Sequence, residues 1–564
     1  MAGSVHEEHH AVAAPVDLVP AGVRNHGARR EQMHHLDAGR GREVTYSEIG
    51  RQCRQLANAL RGMGIDGDNR VATFMWNNAE HLVAYLAVPS MGAVLHPLNI
   101  RLFPEQLIYT ANHGGSEVVV VDNTLAEPFS KLLEHLPKIR HVIVNGPVDD
   151  AVREALGAPA HVEAVHDWNE LLAGRSDEFE WPKDVDENDA SSMCYTSGTT
   201  GNPKGVAYSH RSNYIHAMSC CLTLALTPSD TALVVVPLFH ANAWGYPYTA
   251  MLAGDNLLMP DRFLQPEPLA QMIEKWQVTV GAGVPTIWNG LLQHLDAKGG
   301  DMSSCRMLMS GGAACPPALM KAFERYDVEI IQGWGMTETS PVASLAFPPG
   351  RLEEGGDEYW KYRASQGRIM GGVEARIMGP DGSVQPWDGE SVGEVEVRGP
   401  WITGSYYSNG SEAEGELADM ASKFDDGWLR TGDVGSMTYD GYILLSDRAK
   451  DVIKSGGEWI SSVDLENHLM AHPAVLEASV IGVPDDKWGE RPLAAVVIKD
   501  GESVEMEQLR DFLSGRVARW QVPERWAIID EVPKTSVGKY DKKALRSRFA
   551  EGGLDVAETG APAQ

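Results

Sequence analysis

The segment Tyr195-Thr196-Ser197-Gly198-Thr199-Thr200-Gly201-Asn202-Pro203-Lys204-Gly205 constrains this chain more than any other, because eleven consecutive residues offer hydroxyls, glycines and one cation with almost no bulk. Such a loop suits an anion. Its hydroxyls can donate hydrogen bonds, its glycines let backbone N–H groups approach closely, and Lys204 supplies the charge that a phosphate would otherwise lack. It is not a Walker loop, which ends in Gly-Lys-Ser/Thr; here Pro203 precedes the lysine and Gly205 follows it. Pro203 also argues against a helix starting directly on the phosphate. Taken alone, the composition also fits a solvated turn between two strands.

A chain of 564 residues, 43% hydrophobic, is too long for one core and has ample apolar material for two or more domains. Helical spacing over 46–63, with Leu56 and Leu60 on one face, gives way to strand patterns at 71–74 and 117–121. Further strand patterns follow at 233–236, 441–445 and, more weakly, 478–483. This alternation predicts an α/β fold. The first dozen residues and the tail from Glu551 read as poorly ordered. The uncharged stretch 231–254 is broken by Pro237, Gly245 and Pro247, so it reads as strand, corner and helix and not as a membrane span. Residues 82–100 are interrupted in the same way by Pro89, Gly92 and Pro97. Glu7 and Glu8 stand where a secretory signal would need a basic start and an apolar run. The six cysteines show no metal-ligand spacing and read as core residues in a reducing cytosol, so a cytoplasmic location is expected. A net charge of −30 disfavours nucleic acid, but leaves room for an anionic nucleotide in a locally positive pocket.

Further motifs follow the loop in order. They are Pro237-Leu238-Phe239-His240-Ala241-Asn242-Ala243-Trp244, Ser310-Gly311-Gly312-Ala313-Ala314 and Gly333-Trp334-Gly335-Met336-Thr337-Glu338-Thr339. Then come Trp428-Leu429-Arg430-Thr431-Gly432-Asp433, Asp447-Arg448-Ala449-Lys450-Asp451, Lys454-Ser455-Gly456-Gly457-Glu458-Trp459 and Pro533-Lys534-Thr535-Ser536-Val537-Gly538-Lys539. Together they resemble the adenylate-forming superfamily of acyl-CoA synthetases, firefly-type luciferases and peptide-synthetase adenylation domains. The resemblance spans nearly the whole chain and is nearest to bacterial medium- and long-chain fatty-acyl-CoA synthetases. It implies a large N-terminal domain of several subdomains (1–446), a hinge (447–451) and a small mobile α/β lid (452–564). Asp447 to Asp451 also reads, without the resemblance, as a surface turn or a capped helix start.

Chemistry follows from the resemblance. A carboxylate is a poor acyl donor; joining it to AMP gives it a good leaving group, and a thiol can then take the acyl group. The enzyme must neutralise charge spreading over the phosphates. The resemblance assigns Thr196, Ser197, Gly198, Thr199, Thr200, Gly201 and Lys204 to the phosphates. Glu338 and Thr196 match the ligands of a magnesium ion, which needs few protein oxygens. Gly311, Gly312, Gln332 and Gly333 match the adenine slot, and Asp433 the ribose ligand. Thr337, Arg448, Lys450, Lys454 and Trp459 fall within the nucleotide-binding motifs.

Lys539 matches the catalytic cation of adenylation, on a loop able to enter a cleft. His240 matches the side chain beside the acyl carbonyl, and Trp244 resembles the gate of an acyl tunnel. Lys450 matches the pivot of the lid, with lysine where many relatives have aspartate, and Gly456 and Gly457 match a narrow tunnel for the CoA thiol. Read without the family, Lys539 is a surface lysine, Asp433 a turn cap, and His240 and Trp244 core residues.

The expected function is an ATP- and magnesium-dependent acid–thiol ligase using CoA. Short acids, including 3-methylmercaptopropionate, are alternative substrates, and a separate carrier protein is an alternative acceptor. A catalytically silent nucleotide binder is the reading from another class; intact Lys539, Glu338 and Thr196 count against it. The resemblance also allows a homodimer.

Overall fold

The computed structural model describes residues 34–37, 41–196, 202–379, 381–448, 451–455, 458–535 and 539–559. The expected helix runs from Tyr46 to Gly62. The Thr45 hydroxyl caps it by accepting the N–H of Glu48 at 3.1 Å. Ile49, Cys53, Leu56 and Leu60 recur at alternating spacings of four and three, so one stripe is buried against the neighbouring helix Ala79–Ser90.

Helices and strands then alternate to build a seven-stranded sheet from Arg70–Phe74, Val94–Pro97, Val118–Asp122, His141–Asn145, Ala164–Asp167, Ala190–Tyr195 and Gly205–Ser209. Every pairing in it is parallel except the last, where Ala190–Tyr195 and Gly205–Ser209 form an antiparallel hairpin. Parallel strands are covered on both faces, which explains the unbroken valine run Val118 to Val121. The hairpin carries the hydroxyl-rich loop at its tip.

A second sheet, of fifteen strands among the described residues, changes character midway. Asn256–Met259, Thr231–Val234, Val280–Gly283, Met307–Gly311 and Glu329–Gly335 lie parallel in that spatial order. From Glu329–Gly335 onward the pairing is antiparallel, through Val342–Leu345 and Gly367–Ile369 to Tyr442–Arg448 and Trp428–Met437. Strand Thr231–Val234 stops short of the expected Val236. The N–H groups of Val235 and Val236 both turn to the carbonyl of Ala282, at 3.0 and 3.2 Å, and the chain leaves the sheet.

A third, six-stranded sheet takes all its strands from residues 453–558. Asp447 and Arg448 still belong to a strand of the second sheet, paired with Val434 and Asp433. Lys450, the expected pivot, and Gly456 and Gly457 lie outside the described residues. So do the first dozen residues. The tail departs from expectation. Ala557–Glu558 adds a strand beside Arg525–Ile528, and Leu554 packs into the core with Ala527 and Ile529, so apolar contact orders a segment that composition marks as loose. Among the described residues no helix is long and apolar enough to cross a membrane. All six cysteines are free, and five are buried.

Arg491 secures the third sheet from within. It is buried and donates to the Ser455 hydroxyl and to the carbonyls of Trp520 and Val522, at 3.1, 2.6 and 3.2 Å. Arg491→Met would leave these acceptors unpaired, at a cost of about 3 kcal/mol. Urea unfolding followed by tryptophan fluorescence is expected to show the earliest transition at lower urea than in the parent.

Candidate active site

The strand Glu329–Gly335 ends where the parallel and antiparallel halves of the second sheet meet, and a crevice opens at such a switch. Gly311 and Gly333 are register partners at the carboxyl ends of their strands. A Cβ on Gly311 would lie 3.1 Å from the Gly333 carbonyl and 3.0 Å from the Trp244 ring, so the pair keeps a flat slot open. Gln332 is buried beside it, its side-chain carbonyl accepting the N–H of Cys315 at 2.6 Å.

Two cavities meet there. One, of about 410 Å³, is lined by Thr196, Lys204, His240, Trp244, Gly311, Thr337, Glu338 and Lys539 among others. The other, of about 1100 Å³, takes in Gln332 and Asp433 and the face of the C-terminal unit. Gly312, Gly333 and Lys539 line both, so the lysine stands at the junction. Gly312 has φ +80°, and a Cβ there would lie 2.9 Å from Cε of Lys539; only glycine suits both the turn and the close approach. Lys539 itself closes a small loop with Thr535, whose N–H donates to the Lys539 carbonyl at 2.7 Å.

At the phosphate side, the hairpin stem is locked by two bonds: Thr196 N–H to the Lys204 carbonyl at 2.9 Å, and Lys204 N–H to the Thr196 hydroxyl at 3.1 Å. Ser197, Gly198, Thr199, Thr200 and Gly201 lie outside the described residues. The Lys204 ammonium pairs with Asp419 and rests 5.1 Å from the Tyr406 ring centroid. Glu338 sits in the short turn Thr337–Thr339, with its carboxylate accepting the Tyr406 hydroxyl at 2.6 Å. The same residue's carbonyl accepts the N–H of Thr403 at 2.9 Å. Glu338 is 5% exposed, yet lines the cavity. A buried, hydrogen-bonded carboxylate and the Thr196 hydroxyl line one cavity, and hard oxygen donors of this kind fit a divalent cation such as magnesium.

Asp433 is buried on the strand Trp428–Met437, where it accepts the Trp334 indole N–H at 2.8 Å. His240 is half-buried just before the turn Ala241–Gly245, with its ring enclosed by protein atoms. Burial, reinforced by the charges of Lys539 and Arg101, pushes its imidazole down to about 3, so near neutral pH the ring is uncharged and can both donate and accept. The turn is unusual: Ala241, Asn242, Ala243 and Trp244 all take left-handed φ values between 44° and 55°. A buried polar network holds it, with the Asn242 amide donating to Ser192 at 2.9 Å and the Tyr85 hydroxyl to the Asn242 carbonyl at 3.3 Å.

Of the expected site residues whose side chains are described, all but Lys454 line one or both cavities. Lys454 is exposed on Ile453–Ser455, gives its N–H to Glu490 at 2.9 Å and lines neither cavity. The side chains of Arg448 and Trp459 lie outside the described residues. Sequence reasoning missed Tyr406, Lys423 and Arg101. Tyr406 is 68 positions from Glu338, and nothing in Thr403-Gly404-Ser405-Tyr406-Tyr407 announces the contact. A locally legible sign is only the density of Gly, Ser and Tyr in a loop.

Residues 23–407 match the AMP-binding enzyme family and 464–539 the AMP-binding enzyme C-terminal domain. This chain belongs to the AMP-binding enzyme family. It is 40% identical to a 3-methylmercaptopropionyl-CoA ligase of Ruegeria pomeroyi, over 95% of this chain and 97% of that protein. A medium-chain-fatty-acid–CoA ligase of Ectopseudomonas oleovorans is 39% identical, over 95% of each chain. A long-chain-fatty-acid–CoA ligase of Thermus thermophilus is 41% identical, over 92% of this chain and 93% of that protein. Among solved structures, the anthranilate CoA ligase AuaEII in complex with anthranoyl-AMP superposes with a TM-score of 0.84 at 25% identity, covering 96% of this chain and 98% of that one. ATP-bound MatB from Rhodopseudomonas palustris gives 0.76 at 25%, covering 92% and 96%.

Tyr406→Phe removes one bond from the Glu338 carboxylate and leaves its charge. The freed carboxylate gains rotamers, so the magnesium concentration for half-maximal pyrophosphate release is expected to rise about fivefold to thirtyfold, one hydrogen bond to a charge being worth roughly 1–2 kcal/mol. An unchanged magnesium titration would separate Tyr406 from metal binding.

Proposed function

We propose that this protein is an AMP-forming acyl-CoA ligase that activates a carboxylic acid with ATP, releases pyrophosphate and passes the acyl group to CoA. The observation that carries the reading is Lys539 at the junction of the two cavities, touching Gly312. The smaller cavity is suited to phosphates and acid, the larger to a nucleoside. A cation between them stands where the acid's carboxylate would attack the α-phosphorus. Negative charge builds there in the transition state, and a preorganised ammonium stabilises it at no further reorganisation cost.

Each residue's task follows from its place. Thr196 and Lys204 hold the β- and γ-phosphates at the hairpin tip; Asp433 receives the ribose hydroxyls, since a carboxylate oriented by the Trp334 N–H can accept two further hydrogen bonds. Glu338 and Thr196 hold magnesium, which when bound screens the charge of the phosphates. Uncharged His240 lies beside the acyl carboxylate without competing with Lys539 for it. The fold divides at 447–451, with Lys450 as the pivot about which residues 452–564 turn. The Gly456-Gly457 loop then replaces Lys539 and admits the CoA thiol. We assign the acid to the apolar class, because Trp244, Met309 and Val342 line the acyl side. A cytoplasmic homodimer completes the reading.

Lys539→Ala is expected to slow acyl-adenylate formation by about 10²–10³, the magnitude of losing one preorganised donor. Transfer from preformed acyl-adenylate to CoA is expected to stay within a few-fold of the parent. Stopped assays of each half-reaction check this; equal losses in both would remove Lys539 from the chemistry of the first step.

Trp244→Ala is expected to move the preference among acids from propionate to palmitate while leaving the apparent affinity for ATP unchanged. Each methylene newly buried is worth about 0.8 kcal/mol. Pyrophosphate release across the acid panel, with and without CoA, reads both chain length and acceptor. An unaltered chain-length profile would make Trp244 a packing residue.

A further inference from the structure

Beneath the phosphate hairpin lies a buried chain of three polar side chains that the adenylation reading leaves unused. Tyr195 is the last residue of the strand Ala190–Tyr195, immediately before Thr196. Its hydroxyl lies 2.6 Å from Nδ1 of His113, near the end of the helix Pro104–Gly114. Nε2 of the same ring lies 2.7 Å from a carboxylate oxygen of Glu412. Solvent does not screen this contact, since the His113 and Glu412 side chains are only 4% and 2% exposed.

Glu412 is itself over-determined. The Ser408 hydroxyl donates to it at 2.7 Å, and the N–H groups of Asn409 and Gly410 each at 3.2 Å. An ionised carboxylate only accepts, so the ring proton facing Glu412 sits on Nε2. In the neutral ring with that proton in place, Nδ1 accepts and the Tyr195 hydroxyl donates to it.

These contacts join three distant segments. Tyr195 and His113 are 82 positions apart, and His113 and Glu412 are 299 apart. The Asn409 amide also donates to the His113 carbonyl at 3.0 Å, and the Tyr407 N–H to the Gly205 carbonyl at 2.8 Å. Gly205 is the other foot of the hairpin loop, and a Cβ on it would lie 3.1 Å from the Tyr195 ring. Tyr406, next in that loop, is the residue bonded to Glu338. The described contacts hold the two feet of the hairpin, Tyr195–Thr196 and Gly205. Both are tied here to the segment that holds Glu338.

We propose that Tyr195, His113 and Glu412 form a positioning triad that fixes the two feet of the phosphate hairpin, at Thr196 and Gly205, relative to Glu338. The proposal rests on the adenylation reading and deepens it: the triad matters while ATP is being bound and cleaved, and not when CoA takes the acyl group. Misplacing reacting groups by a fraction of an ångström costs a factor of roughly ten or more.

The test uses the full chain. Tyr195→Phe removes one hydroxyl and keeps the ring, and Glu412→Gln removes the charge and keeps the shape. Each is expected to lower kcat/KM for ATP in acid-dependent ATP–pyrophosphate exchange about tenfold. Single-turnover transfer from preformed acyl-adenylate to CoA is expected to stay within about twofold, because that step does not use the phosphate loop. The double variant is expected to be no worse than the poorer single one, since either change breaks the same chain. Exchange at parental rate in Tyr195→Phe, equal loss in both half-reactions, or fully additive losses would each overturn the triad. Should Tyr195→Phe fold poorly, Glu412→Gln alone decides between the same outcomes. Absence of exchange in the parent with every acid would instead overturn the adenylation reading itself.

Discussion

The strand Glu329–Gly335 is bonded in parallel on one side and antiparallel on the other, and the working parts of the molecule are arranged around that asymmetry. A parallel neighbour sends the chain away through a helix, whereas an antiparallel one returns it at once. The carboxyl end of the strand is therefore left with a gap beside it. Gly311 and Gly333 keep the gap thin, and the short turn after Gly335 sets Glu338 at its rim. Gly335 cannot carry a side chain, because a Cβ would collide with the carbonyl of Pro341. Packing of backbone against backbone, more than any single side chain, gives the site its shape.

Charge is distributed against the grain of the whole chain. The protein carries −30 overall, yet the smaller cavity is lined by Lys204, Lys423, Arg430 and Lys539, with Glu338 its one carboxylate among the described residues. Two of these cations are held by acids behind them, Lys204 by Asp419 and Arg430 by Glu394. Such pairing orients each head group before an anion arrives and costs little when an anion replaces the partner. Global charge and local potential are separate quantities, and only the second bears on nucleotide binding.

Much of this was legible in the sequence, for identifiable reasons. Helix 46–62 shows because its stripe repeats at helical spacing and Thr45 caps it; the valine strand shows because parallel strands are buried on both faces. Thr196, Lys204, Glu338, Asp433 and Lys539 were readable because they sit in contiguous motifs. Their convergence on two joined cavities was implied by resemblance and not by spacing. What was hidden is long-range: Tyr406 on Glu338, Arg101 beside His240, and the third sheet's last strand at Ala557–Glu558 depend on contacts between segments with no shared pattern. Lys454 illustrates the reverse, an exposed motif residue that lines neither cavity.

The left-handed turn at 241–244 has a consequence for how such a chain can diversify. Four non-glycine residues in that region raise the energy of the folded state by about 1–2 kcal/mol each, offset by the buried Tyr85, Asn242 and Ser192 network. Mirror-handed backbone also reverses the direction in which successive side chains leave the chain. Replacing a neighbour of Trp244 can therefore re-aim the indole without changing the indole itself. On the proposed reading, in which Trp244 borders the acid, selectivity can drift through positions that never touch it.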